Sequence, residues 1–189
     1  FHLQKARNVL KKTKPLFYLS LLTDLRIKIW LAEGDFTSAQ RWAAKKTAVM
    51  ESGGTLSPSD KIGLARVLLA QADAGATTSL LEQAEGDARR NGIGEKLIET
   101  LILKARALHL LGDEQKSLQA LTQALKLAEP EGYVRIFAGE RKQIQSLLSK
   151  LLASFTRRPV QPVNMPSRAY IEKLLTANNT PPHTATPAE

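Results

Sequence analysis

A chain of 189 residues with 43% hydrophobic content can bury a continuous core, and 5% aromatics against abundant Leu and Ala favour helix-on-helix packing over a sandwich or barrel. The absence of cysteine excludes a disulfide framework, a thiolate metal site and a cysteine nucleophile, and suits a reducing cytoplasm. The net charge of +9 invites a nucleic-acid reading, but residues 1–50 hold 10 basic and 3 acidic side chains, so the excess sits at one end, and no aromatic platform is interleaved with it as single-strand binding requires.

The chain opens at Phe1 with basic residues soon after and no small-residue cleavage site, so no signal peptide is expected and the sequence reads as a segment of a longer protein. The first predicted helix ends at Gly34-Asp35, where glycine supplies a permissive backbone and the aspartate can cap the next helix. Trp30 and Trp42 flank that turn and are assigned to the hairpin interior. Ser57-Pro58-Ser59-Asp60 is a strong helix start, with a capping hydroxyl, a proline at the first helical position and an acid shortly after. That helix should run to about Ala72, where Ala72-Asp73 makes the second turn. Gly112-Asp113 makes the third, and Glu129-Pro130-Glu131-Gly132 closes the hairpin that follows it. Small residues just past the turns, Ala39 and Ser117, mark places where two helices approach closely. Ile144, Leu147, Leu148, Leu151 and Leu152 then repeat at helical spacing, as a cap on the stack.

Turns 38 and then 40 residues apart (34, 72 and 112) are internal repeats slightly longer than a tetratricopeptide unit of roughly 34 residues. The fold class expected is all-α, a tetratricopeptide-like helical-hairpin solenoid forming a right-handed superhelix, over residues 1–155. Residues 156–189 are expected to be a Pro-rich connector: Pro159, Pro162 and Pro166 extend the chain, and residues 167–177 form one short helix with Tyr170, Ile171, Leu174 and Leu175 on one face. Asn178 to Glu189 reads as a linker. The most apolar stretch, Leu97 to Leu111, is interrupted by Glu99, Lys104, Arg106 and His109, so no membrane span is expected.

Catalytic signals are poor. Gly92 and Gly94 begin a dinucleotide-like pattern, but Leu97 stands where the third glycine belongs and no strand precedes it, so the segment reads as an interhelical loop. There is no phosphate-cradling Gly-Lys-Ser/Thr run. Glu95 and Glu99 lie one turn apart with no histidine spaced to join them, and read as a solvated acidic face. His2, His109 and His183 are scattered. No cofactor, metal or enzymatic activity is expected of this chain.

Register is more informative. Six residues before each turn stand Lys28, Arg66 and Arg106; three before stand Leu31, Leu69 and His109; ten before stand Asp24, Ile62 and Ile102. In a solenoid a repeated register becomes a line on one surface, so the cations form a ladder beside an apolar strip. Asp24, Lys28, Arg66, Arg106 and His109 are the candidate groove residues for an anionic or strongly hydrogen-bonding ligand, or for an acidic segment of a partner domain. On this reading the cations are surface groups, and replacing Arg66 and Arg106 by alanine shifts stability by no more than about ±0.5 kcal/mol. The plain alternative is that they only cover helix faces, Asp24 pairing with Lys28 one turn away.

The stretch Trp30-Leu31-Ala32-Glu33-Gly34-Asp35-Phe36, with Arg41-Trp42-Ala43 behind it, resembles a segment of the large ATP-dependent LuxR-type transcriptional activators related to MalT. Leu110-Leu111-Gly112-Asp113, Ala124-Leu125 and the run Leu127-Ala128-Glu129-Pro130-Glu131-Gly132-Tyr133-Val134-Arg135-Ile136-Phe137 resemble the segment that closes the helical-repeat domain of that family. The last run is the more specific, and the resemblance extends from about Arg26 to Leu175. Ala72, in place of a turn glycine, is a departure from the repeat pattern. The resemblance implies a cytoplasmic sensor segment that receives a small-molecule inducer or a protein or peptide partner. It would relay the signal to other domains of its own full-length chain, an ATP-binding module before it and a helix-turn-helix DNA-binding domain after it, both outside this chain. The alternative of a different kind is a general tetratricopeptide protein-interaction scaffold, and a basic nucleic-acid binder ranks behind both.

Overall fold

The computed structural model describes residues 16–156 and 165–177, and every regular element among them is a helix. In chain order these are α1 (Leu16–Glu33), α2 (Phe36–Glu51), α3 (Pro58–Ala70), α4 (Ala74–Arg90), α5 (Gly94–Leu110), α6 (Glu114–Ala128), the single-turn α7 (Arg135–Ala138), α8 (Arg141–Thr156) and α9 (Arg168–Ala177). The three repeat turns share one geometry. Gly34, Ala72 and Gly112 hold φ of +77°, +61° and +79°, the left-handed conformation that ends a helix. The next amide, on Asp35, Asp73 or Asp113, donates to the carbonyl of Trp30, Leu68 or Leu108 at 2.8, 3.0 and 3.0 Å. Each aspartate carboxylate then accepts from the amide three residues on, Ser38, Ala76 or Lys116, at 3.0–3.1 Å. Glycine at the left-handed position and a short acid after it therefore build the same corner each time. Gly92 and Gly132 repeat the left-handed step, at +63° and +64°, on the return side of the hairpins.

Helix α5 is the spine, packing against α4 and α6 in its own layer and against α3, α7 and α8 beyond it. Its Leu103 and Ala107 face the N-terminal part of the core with Ile27, Ile62, Val67 and Leu81, while Ile98, Leu101 and Ile102 join the C-terminal part with Leu121, Leu125, Phe137 and Leu147. Small residues set the closeness of the hairpins. Ala39, Thr77 and Ser117, each five positions past a turn, are fully buried, and the Ser117 hydroxyl donates to the Ala105 carbonyl across the α5–α6 contact at 2.8 Å. Gly63 allows α1, α2 and α3 to meet: a Cβ there would lie 2.6 Å from Ile27 Cδ1 and 3.0 Å from the Trp42 ring. Trp30 and Trp42 pack against this part of the core, with the Arg26 guanidinium 4.6 Å from the Trp30 ring centroid.

The apolar stripe read over 144–152 is the inner face of α8, and the predicted short helix is α9, whose Tyr170, Ile171 and Leu174 are buried against the same core. Ser167 caps α9 by accepting from the Tyr170 amide at 3.1 Å, while its own amide donates to Glu129 Oε2 at 2.9 Å. The Tyr170 hydroxyl donates to the Tyr133 carbonyl, and its ring meets Phe137 edge-on at a centroid distance of 6.5 Å. The Glu-Pro-Glu-Gly-Tyr-Val-Arg run is thus the seat on which α9 docks. The basic residues 5–14, His2, His183, Pro159, Pro162 and the linker 178–189 lie outside the described residues.

Candidate functional site

The turn-proximal ends of α1, α3 and α5 stand side by side, and the α7–α8 corner closes over them. Between them lies a cavity of about 600 Å³, within the range usual for small-molecule sites. Its polar lining residues are Lys28, Arg66, Arg106, Glu140 and Gln143, and its apolar ones include Leu31, Ala32, Phe36, Ala70 and Ala138. Phe36, the first residue of α2, is 49% exposed at this cavity.

The cations meet a set of buried carboxylates. Arg66 is only 4% exposed, beside Asp24 at 6%, Glu99 at 5% and Glu140 at 3%. Its guanidinium donates to Glu99 from one terminal nitrogen and to Glu140 from the other, and Arg106 donates to the second oxygen of the same Glu140. Lys28 bridges Asp24 at 2.6 Å and Glu99 at 3.2 Å, and Lys96 reaches the other Glu99 oxygen at 2.8 Å. Four cations thus pair with three carboxylates, and Glu95 adds a further acidic group near Lys96. Arg66 Nε and Asp24 Oδ1 stand 3.6 Å apart, both buried and neither hydrogen-bonded.

Burial alone would neutralise these groups, because a low-dielectric surrounding penalises charge. For Glu99 that push is overcome by Arg66, Lys96 and Lys28, which hold its carboxyl down to about 2. Arg66 likewise resists desolvation: Glu140, Glu99 and Asp24 raise its pKa above the ordinary guanidinium value. Lys96 is raised by Glu99 against the same opposing burial. Glu99, Arg66 and Lys96 are therefore each held towards their charged forms, and the hydrogen bonds among them are of the charge-assisted kind.

Lys28, Arg66 and Arg106 all line this cavity. Asp24 lies behind them as the partner of Lys28 and Arg66. His109, half-buried one turn beyond Arg106 on α5, is not among the lining residues. Two expectations need correction. Arg66 is not a surface cation, because three carboxylates from α1, α5 and the α7–α8 corner enclose it. Glu99 is not part of a solvated face: Glu95 is exposed, but Glu99 points inward to Arg66 and Lys28. Glu140 escaped the sequence reading altogether. The signal that could have exposed both acids is electrostatic, since cations recurring on the apolar side of packed helices require buried counter-charges.

Among the described residues no cluster of acids and histidines is arranged to hold a metal, and no helix is long and apolar enough to cross a membrane. A family model described as the MalT-like TPR region matches residues 2–154. Neither the curated proteins nor the solved structures supply a match.

Proposed function

The chain belongs to the MalT-like TPR family, and from that premise we propose that it is the sensor segment of a cytoplasmic LuxR-type transcriptional regulator, whose ligand occupies the cavity between α1, α3, α5 and α8. Tetratricopeptide-like regions bind proteins or ligands, and the observation that favours a small ligand here is the cavity itself. It is lined by cations from three repeats and by apolar side chains from α1, α2, α3 and α7. An anionic inducer, or an acidic side chain of a partner domain, meets both requirements. Because α1 and α8 both border it, occupancy is felt at both ends of the stack. The relay then runs to an ATP-binding module before the segment and a DNA-binding module after it.

The test is thermal-shift titration with a panel of small carboxylates and phosphates at constant ionic strength, comparing the protein with its Arg106→Ala variant. At least one anion should raise the melting temperature of the parent in a saturable way and fail with the variant. If no anion does so, the cavity is not a sensor site for this class. The chain itself is expected neither to hydrolyse ATP nor to hold duplex DNA tightly. Nanomolar, sequence-selective DNA binding by residues 1–189 would overturn the assignment.

A further inference from the structure

Glu140 occupies an unusual place. It follows Gly139 in the short link between α7 and α8, and its two carboxylate oxygens are taken by arginines from two different repeats, Arg66 from α3 and Arg106 from α5. Ala138, Gly139 and Gln143 beside it border the cavity, so the carboxylate stands at the wall of an open space rather than inside packed core. A bridging carboxylate held by two guanidinium groups has the geometry that a carboxylate ligand would adopt there. The backbone carrying it is spacious: a Cβ on Gly139 would meet nothing within 4 Å.

We propose that Glu140 is a tethered stand-in for the ligand's carboxylate: a small monocarboxylate with an apolar body displaces it from Arg66 and Arg106, and the α7–α8 corner is thereby released. This rests on the sensor reading above and adds the ligand's class and the moving part. The ligand's carboxylate takes the position of the Glu140 oxygens, and its apolar body lies against Leu31, Phe36 and Ala70. The displaced corner carries α8 and, through it, α9. Tethering gives Glu140 a high effective concentration, which a free ligand overcomes only by adding its apolar contacts. Two competing carboxylates on one pair of arginines make the exchange a population shift between two states.

The probe is 4-phenylbutyrate, with its uncharged amide as control, in calorimetric titrations at fixed ionic strength against the parent protein, Glu140→Gln and Glu140→Ala. Removing the competing charge should tighten phenylbutyrate binding at least about tenfold in Glu140→Gln, while the amide binds neither protein. Glu140→Ala should in addition gain melting temperature on adding acetate, which fills the vacated place, where matched chloride does nothing. If the alanine variant does not fold, Glu140→Gln carries the test alone. In the parent, bound phenylbutyrate should speed amide exchange over residues 135–144 and leave α5 and α6 protected. Equal affinity in the parent and Glu140→Gln would overturn the stand-in role while leaving the cavity reading in place, as would unchanged exchange over 135–144. Failure of all three proteins to bind, or equal binding of the amide, would overturn the monocarboxylate proposal, while the sensor reading stands or falls separately on the panel of carboxylates and phosphates.

Discussion

Ala72→Gly is expected to stabilise this protein, although it deletes a methyl group. Ala72 is exposed, holds φ of +61°, and is the single non-glycine residue with positive φ among those described. An L side chain in that conformation brings Cβ against the following carbonyl, at roughly 1–2 kcal/mol. Glycine removes that strain, but its freer unfolded chain takes back about 0.5–1 kcal/mol. The net expectation is a gain of up to roughly 1.5 kcal/mol, about 0.75 at the centre of the two ranges, read as a higher urea midpoint at unchanged slope. The equivalent turns supply the control. At Gly34 and Gly112 an added Cβ would meet nothing within 4 Å, so Gly34→Ala and Gly112→Ala measure backbone strain alone and should lose about as much as Ala72→Gly gains. If Ala72→Gly is neutral or destabilising while Gly112→Ala is costly, the three turns are not energetically equivalent and the reasoning from shared geometry fails.

Arg66→Ala should destabilise by about 3–5 kcal/mol, because it strands buried carboxylates; chemical denaturation decides, and a loss below about 1 kcal/mol would mean that the network is solvated. Glu99 is held down to about 2, against an ordinary value near 4.5, so the stability it contributes is fully present above pH 4.5 and is lost as pH falls towards 2. Melting temperature against pH should fall steeply through that window in the parent and less in Glu99→Gln; parallel curves would deny Glu99 its role. Burial, and then the nearby Glu129, push the Tyr170 hydroxyl up to about 12. An ultraviolet titration should therefore show a late tyrosine step that Tyr170→Phe removes, together with about 1 kcal/mol of stability from the lost bond to the Tyr133 carbonyl. A late step that survives the substitution would assign it to another tyrosine.

Much of the architecture was determined locally, and so was legible in the sequence. A left-handed residue followed by aspartate ends one helix and caps the next within about five residues, whatever surrounds it, so the corners at 34, 72 and 112 can be read without knowing the fold. Apolar spacing of 3.6 likewise gave α8 and the buried face of α9. Register went a step further, since equivalent positions of stacked repeats must align, and Lys28, Arg66 and Arg106 do line one cavity. What the sequence did not determine was their counter-charges. Glu99 lies 33 residues from Arg66, and Glu140 lies 74 from Arg66 and 34 from Arg106. Neither acid occupies the cation register. No local preference couples such positions; only the stacking of α1, α3 and α5, and the fold-back of the α7–α8 corner across them, brings these charges out of water together. The same stretch of helix can therefore present Glu95 to solvent and bury Glu99, because the pairing that makes burial tolerable exists only in the assembled stack.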